Sequence, residues 1–322
     1  MKKLFYLFLC SLLVLSCSGH RVKAVSGNAK RIVCMSTTHI AALHALGADS
    51  LIVGVSGGQY VSNPGIRRRI EEGTVSDIGY EAGIDWEKLI SLKPDIVFVY
   101  DVAGENAPYI EKMKRFHLKV MMIDDYLQED PIARLGILRK YGEILGLEAR
   151  ADSIITSTTR QYDSLKLIAA KASKVMVLMN VPYRNVWYIA GADNYLSKLV
   201  SDAGGTVVGA GKGAKSHPYS VEEAFLLSQK SDIWLLQTND STLSAVESQN
   251  PLFRKVTPLR SGNVWNNSLH TTPGGGNDFW EDGIVEPQYI LEDMIRMFHP
   301  GLLPDGEFHF YRKLGDDSKA SK

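Results

Sequence analysis

From residue 30 onward the chain alternates short apolar runs with amphipathic stretches. Ile32 to Met35, Leu51 to Val55, Asp95 to Tyr100 and Lys119 to Ile123 are brief runs rich in Ile, Val and Met. Such runs read as buried strands. Between them, Thr38 to Leu46, Asp85 to Leu92 and Asn106 to Phe116 place apolar residues at helical spacing. The alternation predicts an α/β fold with mostly parallel sheets.

The rhythm breaks between Gly146 and Ala172. Ala151, Ile154, Ile155, Tyr162, Leu165, Leu167 and Ile168 recur at helical spacing, and no Gly or Pro interrupts 147–172. One helix over that range would span nearly 40 Å at ~1.5 Å per residue, a rod rather than a layer. The strand–helix rhythm then resumes with Lys174 to Met179 (strand), Asn194 to Asp202 (helix), Ser220 to Ser228 (helix), Ile233 to Leu236 (strand) and Val285 to Phe298 (helix). Gly204-Gly205 stops the first of these helices, and Ser220 caps the second, with Glu222 and Glu223 in its first turn. The halves echo each other: Glu87 to Asp95-Ile-Val and Glu222 to Asp232-Ile-Trp each carry a helix into a buried strand through a Lys-x-Asp turn. The expected organisation is a lobe at 30–146, an interlobe helix at 147–172 and a second lobe with a tail at 173–322. The cleft between two such Rossmann-like lobes is a favoured ligand site.

Upstream, Met1-Lys2-Lys3, the twelve-residue apolar run Leu4 to Leu15 and Val14-Leu15-Ser16-Cys17 form a secretory leader. The run is too short to remain as a span, which needs ~20 residues. The ending resembles a bacterial lipobox, which predicts cleavage after Ser16, acylation of Cys17 and a polar tether over 17–29. Loss of Lys2 and Lys3 leaves 34 basic against 36 acidic side chains, so nothing favours nucleic acid. Cys34, in a strand-like run, is expected to be a buried structural thiol, and no Cys/His spacing fits a metal site.

Several stretches resemble one family, the substrate-binding proteins of ABC importers for iron chelates, heme and cobalamin, whose two lobes are joined by a helical backbone. They are Arg31 to His39, Ala45 to Ala48, Leu51 to Val55, Leu92 to Val97, Gly142 to Gly146 and Asp202 to Gly205. Gly275 to Glu281 with Phe298-His-Pro300 is similar to a subgroup common in Bacteroidetes-type genomes. The resemblance implies a monomer, lipid-anchored at Cys17 on the periplasmic or outer face of a membrane. It also implies capture of an iron complex, a ferric siderophore first and heme or cobalamin as alternatives, with delivery to an ABC permease dimer and its ATPase. It implies no cofactor beyond the iron of the solute. One surface glutamate per lobe would meet the permease: Glu87 on the first, and Glu222 or Glu223 on the second.

Loops at strand ends should line the cleft. On the first lobe they offer His39, Tyr60, Tyr80 and Tyr100; on the second, Arg184, Trp187, Tyr188, Tyr219, Asn239, His270, Asn277 and Trp280. Aromatic surface with polar tips suits a large, flat chelate, and a guanidinium matches carboxylate or catecholate oxygens. By the resemblance, Tyr80 would ligate iron if the solute is heme. His39 is either a second ligand or part of an N-cap cluster, and Trp187 and Tyr188 either stack on a macrocycle or fill a strand core. The glycines Gly274 to Gly276 either bring a loop onto ligand or make a tight turn. Gly54-Val-Ser-Gly-Gly58 formally matches a hydrolase elbow at Ser56, but loop residues rather than a helix follow it. Gly209 to Ser216 reads as a flexible lysine loop, because it lacks phosphate-loop spacing.

Overall fold

The computed structural model describes residues 31–80, 83–238 and 240–315. The leader, Cys17, the tether and Asn239 lie outside the described residues.

The first lobe is built on five strands: β1 (Ile32–Cys34), β2 (Ile52–Val55), β3 (Ser76–Asp77), β4 (Ile96–Val99) and β5 (Val120–Met122). They form one parallel sheet in the order β3-β2-β1-β4-β5. All four residues of β4 are buried, as a strand covered on both faces requires. Its helices are α1 (Thr37–Ala45), α2 (Pro64–Glu71), α3 (Trp86–Ser91) and α4 (Ala107–Arg115). Their starts are chemically marked. Ser36, Asn63 and Asp85 cap α1, α2 and α3 through side-chain oxygens, and Pro64 takes the first position of α2.

Two short helices, α5 (Pro131–Leu135) and α6 (Leu138–Leu145), close this lobe. Gly146, at φ 70°, ends α6 in the left-handed conformation. The long helix follows as α7 (Glu148–Ala169), 22 residues and about 33 Å. Its first half gives Ala151 and Ile155 to the core of the first lobe, and its second half gives Tyr162 and Ala169 to that of the second. Leu167, counted by spacing as part of the apolar stripe, is 70% exposed, because the inward stripe here runs through Tyr162, Leu165 and Ala169.

The second lobe has β6 (Val175–Met179), a hairpin-like pair β7 (Val186–Ile189) and β9 (His217–Ser220), β8 (Gly205–Val207), β10 (Ile233–Leu236), β11 (Val264–Asn266) and β12 (Arg312–Lys313). The main sheet runs β12-β11-β10-β6-β8, parallel except for the antiparallel edge strand β12. Helices α8 (Tyr195–Asp202), α9 (Val221–Ser228), α10 (Leu243–Ser248), α11 (Thr257–Arg260), α12 (Asp278–Glu281) and α13 (Pro287–Phe298) complete it. The final helix starts at Pro287 rather than Val285, which caps the end of the 3-10 turn Asp282–Ile284. Among the described residues, no helix is long and apolar enough to cross a membrane.

The weak internal repeat has a structural meaning. Asp95 N donates to Arg31 O, and its carboxylate accepts from Arg31 N at 2.7 Å. Asp232 does the same with Met176, whose N–H reaches the carboxylate at 2.8 Å. In each lobe an aspartate thus pins the entry of an interior strand to its neighbour.

One buried ion pair of the first lobe reaches the second lobe near α7 through a ring contact. Arg134 on α5 donates to Asp125 Oδ2 from Nη2 at 2.6 Å and Nε at 3.0 Å. Its guanidinium also lies over the Tyr195 ring of α8, 4.9 Å from the centroid. Removing one partner of such a pair strands a buried charge. Arg134→Ala should therefore lower the unfolding free energy by about 3–5 kcal/mol, measured by urea denaturation. A loss under about 1 kcal/mol would mean that water relieves Asp125.

Candidate functional site

In parallel sheets, ligands gather outside the carboxyl ends of the strands. On the first lobe β2, β3 and β4 lead into Tyr60, Tyr80 and Tyr100. The Tyr60 and Tyr80 rings meet edge to face, with centroids 5.2 Å apart. Gly57, at φ 69°, makes this possible: a Cβ there would stand 2.9 Å from Tyr60 and 3.0 Å from Tyr80. The turn below is equally constrained, since a Cβ on Gly79 would stand 2.2 Å from the Gly83 carbonyl. Tyr80 is 38% exposed. With Tyr100, Met35 and Met113 it lines a small slot of about 30 Å³ against α4.

Ser56 sits beneath this turn. It is buried, its hydroxyl donates to Gly79 O at 2.9 Å, and a 3-10 turn rather than a helix follows it. That geometry braces a loop and does not present a nucleophile. His39 lies deeper. It is fully buried in α1, and its Nδ1 is 2.6 Å from the Tyr141 hydroxyl. Burial holds its pKa down at about 4. His39 is a core residue here and does not reach the strand-end surface, which corrects the expectation of a ligand. Cys34 is also fully buried, and burial drives its thiol far above the ordinary range.

On the second lobe β7 divides its two aromatics. Trp187 is fully buried against Trp234 and Phe253 and donates to Met179 O, so it is core and cannot stack on a solute. Tyr188, on the opposite face, is 45% exposed. Arg184 stands at the tip of a two-residue turn between Tyr183 and Val186, with φ 48° at Arg184 and 65° at Asn185. Holding two non-glycine residues there is the geometry of a type I′ turn, and it projects an exposed guanidinium beside the Tyr183 ring. Tyr219 is half-buried and donates to Gly209 O. His270 and Trp280 are exposed, with Trp280 packed edge-on to Phe279.

Asn277 is spent on structure. Its Oδ1 caps α12 and its Nδ2 donates to Asn267 O. The preceding glycines serve the seam between lobes rather than a ligand. A Cβ on Gly274 would stand 2.5 Å from Gln59 O, and one on Gly276 2.2 Å from Tyr60 O. Thr272 Oγ1 donates to Gln59 O at 2.9 Å. The segment Thr272–Gly276 is thus a strap lying on the backbone of the other lobe. The lysine loop is likewise fixed, because Ala192 N and Asp193 N donate to Gly211 O and Gly213 O.

Glu281, at the end of α12, received no role from sequence. It is fully buried, and its carboxylate accepts from Ser62 N at 2.6 Å and Asn63 N at 3.0 Å across the seam. Burial, with Asp282 and Asp278 nearby, pushes its pKa up to about 8 against the two N–H donors. The only signal was the position of an acid at the end of a glycine-rich, aromatic string.

Glu87 and Glu222 are both exposed. Counted from the caps Asp85 and Ser220, each is the second helical residue, so the two positions correspond. Glu223 is engaged otherwise: its carboxylate accepts from Ser220 N and Oγ in a capping box, which holds its pKa low.

The model of the family described as periplasmic binding protein matches residues 32–266. The chain belongs to that family. Its members are substrate-binding proteins of ABC importers, which work with a permease and an ATPase, and they are not enzymes. Relatives carry the same character. An uncharacterized lipoprotein of Methanocaldococcus jannaschii is 22% identical over 94% of this chain and 73% of its own. An uncharacterized ABC transporter substrate-binding lipoprotein of Bacillus subtilis is 23% identical over 53% of each chain. Among solved structures, a possible iron-binding (periplasmic solute-binding) protein of Staphylococcus epidermidis aligns with a TM-score of 0.65 at 17% identity, covering 84% of this chain and 99% of that one. A periplasmic heme binding protein of Pseudomonas aeruginosa gives 0.63 at 19%, covering 84% and 93%. A periplasmic vitamin B12 binding protein of Vibrio cholerae gives 0.58 at 13%, covering 84% and 96%. These likenesses establish the fold.

Two consequences follow for the seam. Glu281 binds its proton more tightly folded than unfolded, so its contribution to stability is full below pH ~4.5 and is lost as pH rises through about 8. Glu281→Ala should therefore cost most near pH 5 and least near pH 9 in parallel thermal melts; an equal cost at both would refute the assignment. Gly276→Val should lower the melting temperature, because its side chain meets Tyr60 O; an unchanged melt would show that the strap can lift freely.

Proposed function

We propose that the protein is a lipoprotein, anchored through Cys17, that captures a ferric siderophore between its lobes and delivers it to an ABC permease. The observation that carries this reading is the tyrosine group at the strand ends of the first lobe, Tyr60, Tyr80 and Tyr100, with Tyr60 and Tyr80 held together by Gly57. Exposed Arg184 and Tyr188 of the second lobe supply a cation and another aromatic face. Iron arrives as part of the solute, and the protein offers rings and hydrogen-bond donors to its organic shell. Cobalamin stays as an alternative cargo of the same importer class.

Heme is favoured by one further observation, the exposure of Tyr80 on a turn fixed by Gly79. Tyrosinate is an accepted axial ligand of ferric heme. For docking, the matching first-turn positions of Glu87 and Glu222 support one carboxylate per lobe for permease arginines. Glu223, already committed to its cap, is the weaker choice.

The test is a titration of the chain from Ser18 onward with ferric siderophores, heme and cobalamin. A ligand at a hundred times its dissociation constant adds about 2.7 kcal/mol, which for a chain this size is about 5 °C in melting temperature. A shift confined to one class identifies the solute. If that class is heme, Tyr80→Ala should lose the Soret change of the bound form. No shift with any of them overturns the iron reading. Separately, Glu87→Ala with Glu222→Ala should keep solute affinity and abolish uptake in cells; lost affinity with normal uptake would refute docking.

A further inference from the structure

A second cavity lies on the flank of the seam, where α2 of the first lobe faces the β11–β12 edge of the second. It measures about 800 Å³. None of Tyr60, Tyr80 or Tyr100 lines it. The strap stands at its border: Thr272, Pro273 and Gly275 face the cavity, while Thr272 and Gly276 pack on Gln59 and Tyr60.

Its lining includes one arginine from each lobe, Arg67 on α2 and Arg312 on β12. Arg312 is oriented by one contact, Nε to Ser268 Oγ at 3.2 Å, which leaves its two terminal nitrogens for a ligand. Among the described residues, neither arginine stands in an ion pair. Two aspartates also line the space, Asp278 and Asp282. Burial pushes the Asp282 carboxyl above its ordinary range. Burial and Asp282 push the Asp278 carboxyl up to about 7, so near neutrality part of the population can donate a hydrogen bond. Its Oδ1 is buried and has no partner, and neither does the buried Ser62 hydroxyl. Arg67 also borders a 320 Å³ pocket beside Glu71 and Asp77, without pairing with either.

We propose that this cavity is a second binding site, for a small multivalent oxyanion clamped between Arg67 and Arg312. Planar guanidinium forks match carboxylate and phosphate oxygens in pairs, and the Ser62 hydroxyl supplies a further donor. A polycarboxylate and a phosphate share this chemistry. Because the arginines come from different lobes, the anion bridges the lobes at the flank, beside the strap. The site is separate from the tyrosines, and His270, expected at the chelate cleft, lines this cavity instead.

The experiment uses the iron-free chain from Ser18 onward, titrated calorimetrically with citrate and, separately, with inorganic phosphate. Saturable binding of either is expected; citrate alone would identify a polycarboxylate site, and phosphate alone a phosphate site. Arg67→Ala and Arg312→Ala should each weaken binding about tenfold or more, equivalent to about 1.4 kcal/mol. Both side chains are half-exposed, and a circular dichroism melt checks that the variants fold. Arg312→Lys, which keeps the charge and loses the fork, should recover binding only in part. Tyr80→Ala should bind the anion as the parent does. No binding of either anion up to about 10 mM, weaker than any useful affinity, overturns the proposal. Binding that survives both arginine substitutions, or that Tyr80→Ala abolishes, also overturns it.

Discussion

A buried carboxylate reaching across a seam holds the two halves of this molecule in register. Glu281 accepts the Ser62 and Asn63 amides at the entry to α2, where a helix start would otherwise bury its donors. The contact joins residues more than two hundred positions apart, so it forms only when both lobes are complete. Around it the strap lies so close to Gln59 and Tyr60 that only glycine fits at Gly274 and Gly276. The same strap fixes the loop from which Tyr60 projects. The position of the aromatic surface therefore depends on a polar contact made outside it.

Helix α7 and the Asp125–Arg134–Tyr195 chain hold the other side of the seam. Because α7 gives buried side chains to both cores, bending it would open two packed interiors at once. A hinge of the kind that closes by tens of degrees needs a few residues free to change backbone angles. Here the connection is a continuous hydrogen-bonded helix, and a buried ion pair with a cation–π contact bridges beside it. The lobes are thus disposed to rock slightly rather than close, and affinity must come from surfaces already in place. That agrees with tyrosines whose loops are preset by Gly57 and Gly79 instead of being gathered by a ligand.

The sequence showed the elements with a local signature. The apolar runs, the caps at Asp85 and Ser220 and the unbroken 147–172 stretch each carry their information within a few residues, and they fold near the expected limits. Individual side-chain roles were less legible. Period-two alternation says that Trp187 and Tyr188 face opposite ways but not which of them meets the core; packing of Trp187 on Trp234 and Phe253 decides it. His39 follows a Ser/Thr cap and lies beside the strand-end loops, yet α1 turns it inward to Tyr141. Glu281 was invisible because the two amides it accepts come from the other lobe, and the glycines Gly274 to Gly276 were noticed without the backbone they lie on. Counted from the helix cap rather than from the following strand, Glu222 and not Glu223 stands at the position that Glu87 takes in its own helix.

The acids along the seam limit how stable it can be. Asp278, Glu281, Asp282 and Glu286 lie within nine residues, and burial raises the pKa of every one of them. A purely structural junction would be more stable with apolar residues in these places. Glu281 has an evident use, since two amides need its oxygens. Asp282 faces both the flank cavity and a smaller pocket shared with His44 and Gln288, and the Gln288 Oε1 there is buried without a partner. Polar groups left unsatisfied at a junction are costly when dry and cheap when solvated. The seam is therefore best described as a glycine-tight strap and one carboxylate clamp set among open spaces lined by charged residues. Such a junction keeps the lobes aligned and still allows their separation to respond to what binds beside it.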